Sequence, residues 1–494
     1  MLFLILLLAV ALWALKVLKF HVTKKRQRLL ALAAQVPSDK AALPFIGHAY
    51  KFIGGNLWEE LQRLSKLAES EGGVIKIWIA SSPMFIVNDP DDAFTVLNSC
   101  LKKNLIYDLS KRCFGNGLIL ADVTTWKRNR KLLNPAFSQH VLDGFLHIFN
   151  KQSDLLVQNL QPLAGTGEID LENLFAENML ETTCLTVLGI TQDIKSVVDQ
   201  KYRNAVDAEL KLLVDKMCNS FLYIDFVYQV PSTKKLEDEA IKTMHNMSKR
   251  VIDKRRAERN QEKVADISSP RYTAFLDLML DMAEDGLFTD EQILEELNGL
   301  ILGGYDTSSK ALISVLVLIG TYPEVQEKIY NEITSVLGNS DVVEAGDVRK
   351  LVYTEAVIKE ALRVSPVVPF VARDVGTEIK LKNYTLPARS GCVVSLWGIH
   401  RLPIWGPDRF EFRPERWLDP ASLPQSPGAY CAFSIGRRNC IGKAFALMSL
   451  KTTLVHLIRK FKITADYSKV KRKFEILMKF VEGQRLSLEL REQC

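Results

Sequence analysis

From Thr289 to Tyr322 the chain reads TDEQILEELNGLILGGYDTSSKALISVLVLIGTY, a run without proline. It reads as one helix. Thr289 with Gln292 resembles a capping box at its start, and Pro323 bars its continuation. At ~1.5 Å per residue such a helix is roughly 50 Å long, enough to cross a whole domain. Its middle holds Gly303-Gly304, a weak place in a helix.

Most of the remaining chain also reads helical, including about Val352–Val364. Strand-like segments are fewer: Gly72–Asp89, Gly376–Trp397 and the closing RLSLEL. The expected fold class is mainly α with a smaller β portion. The polar stretch Arg255–Arg271 is expected to be an exposed loop, and there is no internal repeat.

The first fifteen residues, MLFLILLLAVALWAL, carry no charge, and Lys16, Lys19 and the cluster TKKRQR follow. A span needs about 20 apolar residues; snorkelling of Lys16 lets a helix extend to about Phe20. The basic cluster after the apolar run places the rest of the chain in the cytosol. The rival is a cleaved signal peptide, because Ala9-Val10-Ala11 is A-x-A-like, but no basic segment precedes the apolar one. The expected organisation is a transmembrane signal anchor at 1–20, a basic, proline-containing neck at 21–44 with Pro37 and Pro44, and a large domain at 45–494.

Net charge is +6, from 64 basic and 58 acidic residues, too small and dispersed to argue for nucleic acid. Eight cysteines (100, 113, 184, 218, 392, 431, 440 and 494) form no CxxC pair and read as reduced. The histidines form no HExxH or HxH pattern, which argues against a zinc enzyme.

Cys440 stands apart, in FSIGRRNCIG at 433–442, directly before the helical run KAFALMSLKTTLVHLIRKF. A thiolate is a soft ligand suited to haem iron, copper(I) or zinc. One isolated cysteine cannot build a zinc or iron–sulfur site, but it can be the axial ligand of a haem. A helix N-terminus favours the thiolate, and glycines let backbone pass close to a flat cofactor.

Phe433-x-x-Gly436-x-Arg438-x-Cys440-x-Gly442 resembles the haem-binding loop of the cytochrome P450 family. EALR, with Glu360 and Arg363, resembles the family's ExxR element, and HRLPIWGPDRFEFRPERW resembles the segment that supplies its third partner, here Arg416. WKRNR resembles the WxxxR of the family, with Trp126 and Arg130; Arg373 in PFVARD matches another propionate ligand. GGYDTS at 303–308 resembles the oxygen-binding element. The chain looks most like insect members of the clan containing the fatty-acid omega-hydroxylases. Two departures stand out. The glutamate often found before the G-x-D-T element, which can bond covalently to haem, is here Gly303, so non-covalent haem is expected. The neck keeps only Pro37 and Pro44 of a P-P-G-P-like run.

The resemblance implies a cytochrome P450 fold: a single large catalytic domain behind the anchor. It implies a monooxygenase inserting one oxygen atom from O2 into a lipophilic small molecule, fatty-acid-like, hormone, odorant or xenobiotic. The implied cofactor is haem b, with Cys440 as the iron ligand. Trp126, Arg130, Arg373 and Arg438 would hold the propionates, while Phe433, Gly436 and Gly442 would shape the loop. Two small residues would leave a groove for oxygen, Thr307 would hydrogen-bond it and Asp306 would feed protons. Electrons are expected from NADPH through NADPH–cytochrome P450 reductase, helped by cytochrome b5, at the endoplasmic reticulum membrane with the domain facing the cytosol. Lys127, Arg128, Lys131, Arg437 and Lys443 would steer the reductase. The pocket is expected from Cys100–Leu120, Ala205–Pro231, Asn298–Thr307, Val367–Phe370 and the region of Phe480. The rival readings are a haem-thiolate isomerase or dehydratase and a haem or lipid binding protein without turnover.

Overall fold

The proline-free run folds as one unbroken helix, Asp290–Thr321, hereafter the central helix. Its capping box forms as expected: Thr289 Oγ1 accepts the Gln292 amide and the Gln292 side chain accepts the Thr289 amide. Pro323 opens the next helix, Pro323–Leu337. The computed structural model describes residues 9, 12, 13, 15, 16, 23–53, 56–189, 200–218, 231–264 and 274–492. Of the expected anchor, Ala9, Leu12, Trp13, Leu15 and Lys16 are helical and the rest lies outside the described residues, as do 219–230 of one expected pocket segment.

Every residue from Ala311 to Gly320 is buried, and a helix buried all round belongs in the middle of a large core. Among the described residues this is the one helix long and apolar enough to cross a membrane, yet it lies mostly inside the protein. Around it pack Glu172–Leu188, Val352–Val364 and the strand Phe461–Thr464. The helix Lys443–Lys460 packs on Leu146–Leu160, and Phe445 joins an aromatic cluster with Phe145, Phe149 and Phe275, at 5.2 Å between the Phe149 and Phe445 ring centroids. That cluster fixes the helix that follows Cys440.

The main sheet runs in the order Val74–Ile79, Ser82–Val87, Ser390–Ser395, Phe370–Val375. Its outer pairs are antiparallel and the central pair, Met84 beside Gly391, is parallel. RLSLEL supplies Leu486–Leu490, paired with Phe461–Thr464. The chain is thus mainly helical with a smaller strand portion, as its sequence suggested.

Two stretches differ from their sequence reading. The polar segment expected as a loop continues the helix Pro231–Val264 through its first ten residues, Arg255 onward; 265–273 lie outside the described residues. Arg255 there is held by Asp277 and Arg259 by Asp281, so its charges are used in packing rather than left in solvent. Within the basic segment at 21–44, Lys24–Gln35 is a helix with Leu29, Leu32 and Ala33 buried. The Lys76 ammonium donates to Ala33 O and Val36 O at 2.5 and 2.7 Å, tying the end of that helix to the sheet.

A buried ion network ties the helix Val352–Val364 to the segment that follows the main sheet. Glu360 accepts from Arg363 at 2.8 and 2.9 Å, from Arg416 Nε at 3.0 Å and from the Trp417 indole at 2.9 Å. Arg363 also donates to the carbonyls of His400, Arg409 and Glu411. A buried charge persists only when paired and fully hydrogen-bonded, and this one is.

Candidate active site

The cysteine loop is shaped by two left-handed residues, Ser434 (φ 58) and Gly436 (φ 75). A Cβ at Gly436 would sit 2.6 Å from Leu97 O, so only glycine fits. The Cys440 amide donates to Phe433 O at 2.9 Å and closes the loop. Gly442 precedes Lys443–Lys460 with no side-chain cap, so the first amides of that helix face the loop. Among the described free cysteines, Cys440 is exposed and Cys100, Cys113, Cys184, Cys392 and Cys431 are buried.

Beside the loop three cations converge. The Arg438 guanidinium lies 4.8 Å over the Trp126 ring, and its Nη2 donates to Ala121 O at 2.5 Å and Asp122 O at 3.3 Å. Its Nε and Nη1 are buried without a hydrogen-bond partner among the described residues, and so is Arg373 Nε. Lys103 bridges to Arg373 at the edge of the main sheet. Desolvation, then the field of Arg373, brings Arg438 down to about 10. Desolvation, then Arg373 and Arg438, pushes Lys103 well below the ordinary lysine value. None of the three has an ion-pair partner among the described residues. Such a cluster is costly by itself and fits a group bringing negative charge to it.

Arg130 is placed differently from Trp126. Its Nη1 donates to Asn439 O at 2.9 Å, its Nη2 to Asn439 Oδ1 at 3.2 Å and its Nε to Asn134 Oδ1 at 2.8 Å. It therefore braces the residue before Cys440. Phe433 is half-buried and packs on the main core.

On the central helix the two adjacent glycines face different surroundings. Gly303 is exposed, and its nearest neighbour in the direction of a Cβ is Ile119 Cδ1 at 3.9 Å. Gly304 faces Thr183 of Glu172–Leu188, where a Cβ would lie 2.6 Å from Cγ2. Of the two, Gly303 has open space before it, while Gly304 permits helix packing. Thr307 Oγ1, one turn beyond Gly303, donates to Gly303 O at 2.6 Å. Asp306 is buried, ion-paired to Lys310, with its Oδ2 lacking a partner among the described residues.

Sequence reasoning missed three of these residues. Lys310 was open to detection, since i,i+4 from Asp306 is ion-pair spacing. Lys103 carries no local signal; only the sheet brings it to Arg373. The third is Glu296 of the central helix, which accepts the Leu118 amide in the loop before Trp126, a contact that no spacing announces.

A family model described as Cytochrome P450 matches residues 37–486. Cytochrome P450 4c21 of Blattella germanica is 30% identical over 465 residues, covering 92% of this chain and 92% of the relative. Cytochrome P450 4c3 of Drosophila melanogaster is 30% identical over 462 residues, covering 90% and 86%. Cytochrome P450 4V2 of Mus musculus is 31% identical over 445 residues, covering 87% and 85%.

Proposed function

The chain belongs to the cytochrome P450 family, and from that premise we propose that Cys440 holds the haem iron and that substrate is oxidised beside Gly303 and Thr307. The protein is a haem-thiolate monooxygenase that acts on lipophilic molecules with electrons from a redox partner. The observation that carries the site assignment is that, among the described free cysteines, Cys440 is the exposed one, set before a helix N-terminus in a loop that only glycine at 436 allows.

The residues fit the cofactor. The buried, unpartnered N–H groups of Arg373 and Arg438, with Lys103 nearby, are donors of the kind that two propionates require. Haem, when bound, supplies activation of dioxygen and its insertion into a carbon–hydrogen bond. This chain's side chains do the rest. Cys440 would hold the haem iron as the thiolate. Thr307 holds a proton on the open face of the helix. Asp306, tethered by Lys310, has one carboxylate oxygen left to relay protons. With Gly303 where a glutamate would stand, this position offers no carboxylate to bond haem covalently.

The finer partners follow from surface chemistry. Lys127, Lys131, Arg437 and Lys443 are exposed around the cysteine loop and suit an acidic reductase, NADPH–cytochrome P450 reductase, with cytochrome b5 as a second donor. Arg128 is bound to Leu287 O and contributes less. Phe45 is 81% exposed, lies in the chain between the exposed Leu43 and Ile46, and has Trp13 packed on it at 6.3 Å. That apolar face supports an anchor at 1–20, a neck at 21–44 and a domain at 45–494 lying on the cytosolic side of the endoplasmic reticulum membrane.

The deciding experiment is the reduced, carbon-monoxide difference spectrum of the protein and of Cys440→Ala. A strongly red-shifted Soret band that the variant loses supports the assignment. A folded, haem-supplied protein with no such band would overturn it.

A further inference from the structure

Glu296 lies on the central helix two turns ahead of Gly303 and is 1% exposed. Its Oε2 accepts the backbone N–H of Leu118 at 2.9 Å, and its Oε1 accepts the side-chain amide of Asn129 at 2.8 Å. Asn129 is itself 1% exposed, on the helix that carries Trp126. The loop before that helix is drawn tight against the central helix: a Cβ on Gly117 would lie 2.8 Å from Glu295 O. One residue past Leu118, the Cδ1 of Ile119 stands 3.5 Å from the Cβ position of Gly299 and 3.9 Å from that of Gly303. Two residues further, Ala121 O accepts from Arg438. The segment 118–121 is therefore held at both ends, and Ile119 lies between the two holds.

We propose that Glu296 is a positioning residue: by holding the Leu118 amide it fixes Ile119 over Gly299 and Gly303, and so sets how bulky a molecule reaches the Thr307 face. This rests on the reading that this face is the reacting side. The carboxylate joins three elements, the central helix, the loop and the Trp126 helix, and no other side chain on the central helix bonds the loop backbone among the described residues. Without it the loop keeps its own turn, with the Leu120 and Ala121 amides on Gly117 O, and its hold at Ala121, but loses its bond to the central helix beside Ile119.

The test uses the haem-bound protein and three variants, Glu296→Gln, Glu296→Leu and Ile119→Ala. Ferric haem is titrated spectroscopically with imidazole and with 1-phenylimidazole, and hydrogen exchange is followed in the peptide spanning 115–121. Loss of a buried acceptor should speed exchange there about tenfold in Glu296→Leu. The ratio of the two dissociation constants should move about tenfold toward the bulkier ligand in Glu296→Leu and in Ile119→Ala. Glu296→Gln, which can accept from Leu118, should restore both to near wild type. Unchanged exchange and ligand ratio in a folded Glu296→Leu would overturn the proposal, as would a Gln variant as disturbed as the Leu variant. If Glu296→Leu does not fold, an unchanged ratio in Ile119→Ala overturns it instead. Exchange reads the latch whatever ligates the iron, so failure of the Cys440 assignment and failure of the latch are distinguishable.

Discussion

Gly304 and Thr183 touch so closely that a Cβ on the glycine would lie 2.6 Å from Thr183 Cγ2 and 3.0 Å from its Oγ1. Gly304→Ala should therefore force two helices apart and destabilise the protein by about 1–3 kcal/mol. Gly303→Ala meets nothing nearer than 3.9 Å and gains up to about 1 kcal/mol of helix propensity. Denaturant midpoints of the two variants check this; equal midpoints would show that the helices do not meet at Gly304.

Glu360 neutralises two buried arginines, Arg363 and Arg416, at 2.8 and 3.0 Å. Glu360→Gln keeps the shape but removes the charge, leaving Arg363 without a counter-ion among the described residues and Arg416 with Asp408 alone, at 3.3 Å. A loss of about 3–5 kcal/mol is expected, read as a lower unfolding midpoint and a smaller haem-bound yield.

Burial pushes the Glu296 carboxyl up to about 7 from an ordinary 4.5; the bonds from Leu118 and Asn129 oppose this and Glu295 adds to it. The folded state thus binds this proton more tightly than the unfolded state. Its contribution to stability is complete below about pH 4.5 and is lost as pH rises through about 7. Glu296→Gln cannot titrate, so its stability relative to wild type should grow by roughly 2 kcal/mol between pH 5 and pH 8. Parallel pH–stability curves for the two proteins would disprove the raised value.

Lys103 is forced beside Arg373 and Arg438 without an acid to pair with among the described residues. If the three hold propionates, Lys103→Met should weaken haem retention severalfold, measured as the rate of haem transfer to apomyoglobin. The haem-free variant, relieved of one like charge, should unfold no earlier than haem-free wild type. Unchanged haem transfer would remove Lys103 from the site.

The Thr307 hydroxyl, bonded to Gly303 O on the open face, is placed to hold a proton there. Thr307→Ala should keep the haem-thiolate spectrum while NADPH consumption outruns product severalfold. An unchanged ratio of product to NADPH would sink the proton-delivery role.

The features legible from the residues alone are local. The capping box at Thr289, the pairing of Glu360 with Arg363 and the closed loop around Cys440 each lie within a few residues, where helical spacing and turn geometry fix who meets whom. Tertiary structure decided the rest, because the direction of a side chain has meaning only once its neighbours are packed. Gly303 and Gly304 are adjacent and identical, yet a helical step of about 100° turns one toward Ile119 and the other into Thr183. Arg130 carries the expected spacing from Trp126 but meets Asn439 across a loop contact. Lys103 reaches Arg373 only because strand pairing sets it there, and Glu296 reaches Leu118 only because the loop before Trp126 is pressed onto the central helix.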